Sequence, residues 1–287
     1  MKVTVAEDLL LREYGRMAAV YDRHGITSAA GVWKEVRKRA PNLRGRRALD
    51  LCCGPGAHTV RLAQAVGAAG SVVGIDAARG MVEFARRRSN ARGRSNLRFE
   101  VMDSRSLRFP AHSFDLVLST FGVAFRAPER ALREAFRVLD NGGSFVYVSW
   151  SGPSPESKAF LEALTDTEDR HPPHVEVRRL ALARRLMSGP PARRSRGRGP
   201  TLLTMLRNVG FRRIRRVVRP VTVRFRSPTA YVRYKATWGE YHRYLSRLGR
   251  REREQFVADV SRRMGWSRGG NGPTVTWNLS FTTAWKP

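Results

Sequence analysis

ALDLCCGPGAHTVRLAQ, residues 48–64, joins a short β-rich run to a helix-forming stretch through Gly54-Pro55-Gly56. The two glycines permit a tight strand-to-helix turn in which bare backbone can approach a ligand. The helix behind that turn aims unpaired N–H groups, and the positive end of its dipole, at whatever sits there. Twenty residues beyond Gly56, the run SVVGID ends at Asp76. A nucleotide-binding sheet places its ribose-binding acid at such a strand end. A dinucleotide fingerprint requires a third small residue three positions after the second glycine, and here that position is Thr59. No GxxxxGK[ST] occurs either. A shorter loop plus an acid suits an adenosyl group carrying an amino-acid tail rather than a pyrophosphate.

Further motifs follow at ordered spacing. YGRMAAVYDRH (14–24) holds a Tyr-Asp pair, and ALDLCCGPG carries Cys52-Cys53 inside the glycine turn. GIDAARGMVEFAR (74–86) places Asp76, Ala77 and Met81, and VMDSRSLRFPAHSFDLVLSTFGVAF (101–125) places Asp103, Ser104, Ser119 and Thr120. ALREAFRVLDNGGSFVYVSW (131–150) supplies a helix, a Gly-Gly turn and another strand. On these residues the chain resembles the class I S-adenosylmethionine (SAM)-dependent methyltransferases, particularly the ubiquinone/menaquinone-type C-methyltransferases and related small-molecule methyltransferases. The resemblance runs from about residue 14 to 150, and weakly to about 226. The stretch Phe125-Arg126-Ala127-Pro128 departs from it, being shorter and more basic than the usual loop.

The resemblance implies SAM as cofactor and a binding set. Asp76 would take the ribose hydroxyls, with Ala77 beside it. Cys53, Gly54 and Gly56 would face the methionyl part. Met81 would pack on adenine, and Asp103 would contact the adenine amine together with Ser104. Tyr21 would close over the donor, and Ser119 and Thr120, followed by Phe121, would end the fourth strand near the reacting methyl. Duller roles compete: a helix N-cap for Asp103, core packing for Met81 with Val82 and Phe84, and an ordinary buried tyrosine for Tyr21. His58, in the first turn of the motif helix, is read as packing or capping.

The net charge is +30. Residues 1–150 carry 25 Lys/Arg against 14 Asp/Glu, and residues 151–287 carry 29 against 10, so the excess concentrates in the later half. Only 6 of the 54 basic residues are lysines. A GC-rich genome explains that choice of arginine but not the shortage of acids. An anionic partner is therefore weighed against a solvated face: RNA, a phosphorylated substrate, or one tethered to an acidic carrier. No run approaches the roughly 18 apolar residues of a membrane span, and MKVTVAEDLL lacks the apolar core of a signal peptide. Adjacent cysteines make a poor disulfide framework, so a reduced, cytoplasmic setting is expected.

Strand-like runs at 47–52, 71–75, 97–101, 114–119 and 144–150 alternate with helical stretches, which implies βαβ units and a parallel sheet. Two late runs, 211 to about 226 and PTVTWNLSFTTAW, fit a sixth and a seventh strand, the last antiparallel. The expected fold is α/β: a Rossmann-like, seven-stranded, mostly parallel sheet with helices on both faces. N-terminal helices and helical lid insertions would surround it. Residues 1–45 read as a helical cap, 46–150 as the SAM-binding core, and 151–287 as the rest of the sheet with substrate-side insertions. Within these, 151–187 mixes breakers with helical pieces, 188–200 reads as a mobile basic loop, and 228–265 as a helical insert.

Methyl transfer from a sulfonium is an in-line displacement, so positioning and exclusion of water do much of the work and no conspicuous acid or base is required. The catalytic residues stay unknown at this level. His174, Tyr241 and His242 in the lid and Tyr14 near the entrance are weak general-base candidates, with His171 beside them. HPPH (171–174) is a poor metal site, and no metal is expected. Tyr231, Tyr234, Trp238, Tyr241 and Tyr244 recur at helical spacing, as a packing stripe or the wall of an aromatic pocket. The expected function is methyl transfer from SAM to a small aromatic or apolar acceptor, at C, O or N, in specialised-metabolite or quinone-like biosynthesis. An RNA methyltransferase and a binding protein with a degenerate cofactor site are the alternatives. A homodimer is kept among the partners.

Overall fold

A computed structural model describes residues 4–24, 30–40, 42–90, 94–122, 128–152, 155–188, 201–237, 239–266 and 273–287. Three helices lead in: α1 (Val5–Arg16), α2 (Ala18–His24) and α3 (Ala30–Arg39). The sheet then alternates with helices through β1 (Arg47–Leu51), α4 (Ala57–Val66), β2 (Ser71–Asp76), α5 (Arg79–Asn90), β3 (Leu97–Val101), β4 (Phe114–Thr120), α6 (Pro128–Val138) and β5 (Leu139–Trp150). Helices α7 (Pro155–Arg170) and α8 (Val175–Ser188) follow, then α9 (Leu202–Val209) and β6 (Arg212–Arg224). Helices α10 (Pro228–Lys235), α11 (Gly239–Arg247) and α12 (Arg250–Arg263) precede the final strand, β7 (Thr274–Trp285).

The seven strands form one sheet in the order β3-β2-β1-β4-β5-β7-β6. The first five pair in parallel, and β7 runs antiparallel to both β5 and β6. The switch in strand order between β1 and β4 opens a crevice at their carboxyl ends, where ligands of such sheets bind. FDLVLST in β4 is buried on both faces except at Asp115, as its near-continuous apolar run requires. One face packs on α3, α4 and α5 through Val32, Val36, Leu62 and Val82; the other packs on α6 and α9 through Leu132 and Leu206.

The missing third glycine of the motif helix has a structural answer. A Cβ on Gly74 of β2 would lie 2.8 Å from Thr59 Cγ2 and 2.7 Å from the Phe99 ring. The close helix–strand approach is kept, with the small residue moved from the helix to the strand. Thr59 then spends its hydroxyl on the buried Asp50 carboxylate, 2.7 Å away.

Two expectations need correction, and a third falls outside the described residues. The fifth strand begins at Leu139, not at 144. Asn141-Gly142-Gly143 is an excursion inside it, where the register jumps from Phe114↔Leu139 to Leu116↔Ser144. Lys286 holds that excursion, donating Nζ to the Leu139 carbonyl at 2.7 Å and its N–H to the Gly143 carbonyl at 3.0 Å. The stretch 151–187 is mostly regular, as α7 and α8. The basic loop expected at 188–200 and the departing stretch at 125–127 lie outside the described residues, apart from Ser188 at the end of α8.

Candidate functional site

The turn after β1 packs three left-handed residues into five positions: Cys52 (φ +57°), Gly54 (φ +55°) and Gly56 (φ +81°). The Cys53 N–H donates to the Ile75 carbonyl at 2.9 Å, and the Gly56 N–H to the Cys53 carbonyl at 3.1 Å. The Gly54 N–H donates to Asp76 Oδ2 and the Ala78 N–H to Asp76 Oδ1, both at 2.9 Å. Asp76 thus ties the end of β2 to the glycine turn. Each oxygen retains a lone pair, enough for two vicinal hydroxyls. Burial lifts the Asp76 carboxyl, and these two N–H groups oppose the lift.

The two glycines differ in purpose. A Cβ on Gly54 would meet no heavy atom within 4 Å, so its missing side chain opens on free space beside Asp76. A Cβ on Gly56 would sit 2.8 Å from the Phe99 ring and 3.1 Å from Ala85 Cβ. Gly56 therefore permits packing of α4 on the sheet, a demand for glycine at this position that the ligand's approach does not by itself explain.

Beside Asp76, Met81 and Ala78 pack with Ala18, Tyr14 and Tyr21. Burial, and then the neighbouring Asp76 charge, push the Tyr21 phenol up to about 12. Helix α1 crosses α5 at backbone contact, with a Cβ on Gly80 falling 2.7 Å from Gly15 Cα. Met81 is buried in this small cluster with the tyrosines, and the Ala78 N–H joins the cluster to the strand-end acid.

Asp103 caps no helix; a turn follows it, closed by the Ser106 N–H donating to its carbonyl at 3.0 Å. Its carboxylate is gripped by Arg105, with Nε 2.9 Å from Oδ1 and Nη2 2.8 Å from Oδ2. Burial would raise this carboxyl, but the hydrogen bonds from the Arg105 side chain and backbone outweigh it and hold it below the usual range. The same guanidinium pairs with the buried Glu7 of α1. Burial and then the Asp76 charge push the Cys52 thiol up to about 12, with Ser104 nearby opposing the rise. Gly122 leaves the room Cys52 needs, since a Cβ there would lie 2.1 Å from Cys52 Cβ. Cys53 is buried, and its thiol is pushed up by burial and by Asp76. Both cysteines are packing elements of the turn rather than nucleophiles.

Comparison with known proteins agrees with this geometry. Residues 48–143 match a family model described as a methyltransferase domain. An aklanonic acid methyltransferase of a Streptomyces is 36% identical over 138 residues, covering 47% of this chain and 62% of that protein. A 2-phytyl-1,4-naphtoquinone methyltransferase of Nostoc punctiforme is 33% identical over 156 residues, covering 52% of this chain and 68% of the relative. This chain belongs to the SAM-dependent methyltransferases. The matches span about two thirds of those relatives' own lengths. A phosphoethanolamine N-methyltransferase 2 of Haemonchus contortus superposes with a TM-score of 0.60 over 99% of this chain and 61% of its own, at 16% identity, which speaks for the fold.

The methyltransferase turn fits its donor. The free space beside Gly54, the lone pairs on Asp76 and the arginine-gripped Asp103 lie along the carboxyl ends of β1, β2 and β3. Ser119 and Thr120 end the neighbouring β4 and are buried, and Ser119 Oγ has no hydrogen-bond partner among the described residues. Among those residues no cluster of three or more His, Cys, Asp or Glu is placed to hold a metal.

The general-base candidates scatter. Tyr14 alone joins the donor side; burial, and then Tyr21 and Glu240, raise its phenol far above the ordinary range. Tyr241 packs on Phe160 with ring centroids 5.5 Å apart, and its hydroxyl accepts from Arg184 at 3.1 Å. His242 borders a separate cavity of about 1420 Å³ among α10, α11 and α12, lined by Arg226, Arg233 and Trp266 but by none of the motif residues. His174 is exposed, its Nδ1 accepting the Glu176 N–H at the start of α8 at 3.4 Å. His171 is also exposed. His58 packs against Trp33, ring centroids 6.0 Å apart, and caps nothing: both its nitrogens lack a hydrogen-bond partner among the described residues.

The aromatic stripe is mainly packing. Tyr231, Tyr234 and Tyr244 are buried, the last donating its hydroxyl to the His171 carbonyl at 2.9 Å, and Trp238 lies outside the described residues. A different set of rings crosses the strand ends: Phe121 against Trp150 (4.9 Å), Trp150 against Trp277 (6.2 Å), and Trp277 against Tyr234 (5.1 Å). No helical period reveals it, because its members come from β4's exit, β5, β7 and α10. Arg105 and Glu7 were equally invisible; their only signal was an acid and a base 98 residues apart.

Proposed function

We propose that this protein transfers the methyl group of SAM to a small planar acceptor, aromatic or quinone-like. The observation that carries the acceptor class is the ring series beyond β4 and β5, with Trp150 still 37% exposed against Phe121. A ring stacks on such surfaces and gains beyond simple burial, whereas a small polar acceptor does not. The substrate named for the Nostoc relative is a naphthoquinone, a planar ring system.

Asp76 would hold the donor's ribose, the Gly54 backbone its amino-acid part, and Asp103 with the Ser104 loop its adenine. Bound there, SAM supplies an electrophilic methyl on a sulfonium. The remaining work falls to positioning and to exclusion of water by Tyr14, Tyr21 and Met81 on the cap side. At neutral pH both tyrosines stay protonated, so they donate hydrogen bonds and accept no proton.

Thermal shift with S-adenosylhomocysteine tests the donor site; wild type should be stabilised and Asp76→Ala should not. Labelled SAM with a panel of hydroxylated naphthoquinones and anthraquinones tests the acceptor. Stabilisation by S-adenosylhomocysteine without transfer to any planar acceptor would overturn the acceptor class alone. RNA methylation stays as a second reading because β6 and β7 carry six arginines and no acid. Label entering RNA, with tight and steeply salt-dependent binding, would favour it.

A further inference from the structure

Helix α8 is apolar on two opposite sides. Val177, Leu180 and Ala183 are buried, Ala183 against Leu10 of α1. At about 3.6 residues per turn, Val175, Leu182 and Leu186 fall on the far side, within about 40° of one another. They are 45%, 56% and 65% exposed. Exposed Arg178 and Arg185 border this stripe on one side and exposed Arg179 on the other. None of the three arginines meets a carboxylate among the described residues. Val5, 89% exposed, precedes Ala6, which packs on the same Leu10–Ala183 contact. Three large aliphatic side chains and three arginines with no carboxylate partner among the described residues therefore share the outer face of α8.

Exposed leucines scattered singly need no explanation, but a helical stripe with cationic borders does. A helix lying in the plane of a bilayer has this pattern: apolar side chains enter the headgroup boundary while arginine stems follow them and guanidiniums reach the phosphates. Nucleic acid would engage the arginines and leave the aliphatic stripe wet. A second copy of the same face would bring two arginine triads together. We propose that the outer face of α8 docks this protein reversibly on an anionic lipid surface. The contact is peripheral, since no helix among the described residues is long and apolar enough to cross a membrane. The inner side of α8 carries Arg184, paired with Glu240 next to Tyr14, so the docked helix would lie between the bilayer and the donor site. The inference does not rest on methyl transfer.

Sedimentation of the full chain with phosphatidylcholine–phosphatidylglycerol vesicles, against pure phosphatidylcholine, tests it. Leu182→Gln/Leu186→Gln keeps helix propensity, so an unchanged melting curve will show an intact fold. Wild type should partition onto the mixed vesicles and far less onto the neutral ones. The double leucine variant should bind at least about tenfold more weakly. Arg178→Gln/Arg179→Gln/Arg185→Gln should weaken binding by about a hundredfold at low salt, and Arg216→Gln/Arg224→Gln on β6 should do much less. The proposal is overturned if the leucine variant partitions like wild type, if wild type ignores the mixed vesicles, or if wild type is a dimer that the leucine variant dissociates.

Discussion

Replacing the two turn glycines one at a time should separate ligand space from packing. Both have positive φ, +55° at Gly54 and +81° at Gly56, so alanine at either costs about 1–2 kcal/mol for left-handed backbone. At Gly54 nothing is added to that, because a Cβ would meet no atom within 4 Å. The ligand-free Gly54→Ala protein should lose only about 1–2 kcal/mol, or roughly 2–8 °C in Tm. At Gly56 the new Cβ would fall 2.8 and 2.9 Å from two Phe99 ring carbons. Phe99 is buried in the core between α4, α5 and the sheet, so it yields only by straining its neighbours. Overpacking of this kind adds about 1–3 kcal/mol, for a total near 2–5 kcal/mol. Urea denaturation measures both losses, and thermal shift titrated with S-adenosylhomocysteine measures the site. Gly54→Ala should fold well yet bind at least about tenfold more weakly, its methyl group standing in donor space. Gly56→Ala should lose stability first. If Gly54→Ala binds S-adenosylhomocysteine as wild type does, the free space beside Gly54 is not the donor cradle and the reasoning fails.

Two buried groups under α4 should oppose each other in pH dependence. Burial, and then the Arg61 charge, depress His58 to about 3, while burial, against the Thr59 hydrogen bond, lifts Asp50 to about 7. Below about pH 6.5 the unfolded chain protonates His58 and the folded chain does not, so stability falls with pH by up to about 1.4 kcal/mol per unit. Between about pH 4 and 7 the folded chain holds a proton on Asp50 that the unfolded chain lacks, so stability falls as pH rises. His58→Leu should unmask the second slope and Asp50→Asn the first, in urea melts across that range; parallel profiles for all three proteins would refute the assignment. Arg105→Gln would strand the buried Glu7 and release Asp103, costing about 3–5 kcal/mol. Arg105→Lys should keep more of the stability but raise the KM for SAM several-fold without a matching fall in kcat; an unchanged KM would remove Asp103 from donor binding. Trp150→Ala should cost about 2–4 kcal/mol, since most of the side chain packs on Phe121 and Trp277, and should also raise the KM for a planar acceptor about tenfold with donor affinity unchanged. Kinetics at saturating donor would show this directly.

Much of the sheet was legible because it is written in local patterns. The apolar runs in 47–51, 71–76 and 114–120 are strands buried on both faces, 97–101 alternates as the edge strand it is with Arg98 exposed, and α9 further along follows the cap and breaker signals Thr201 and Gly210. The start of β5 was misplaced because Asn141-Gly142-Gly143 reads as a turn, while the tether that keeps it within a strand is Lys286, far along the chain. The tyrosines of α10 and α11 read equally well as core or pocket, since a helical period does not say which neighbour covers a face.

The sequence by itself determined the parallel sheet, the glycine turn and the two acids at the ends of β2 and β3. Each is a short-range signal: a strand, a tight turn, and a carboxylate at fixed spacing. Only the tertiary structure decided what each residue of that turn is for. Gly56 answers to Phe99, Thr59 to Gly74 and Asp50, Cys52 to Gly122, and Asp103 to an arginine shared with Glu7 of α1. These partners arrive from other strands and helices. Close packing and buried charge act through space, so a residue's role follows from what the fold brings within a few ångströms of it.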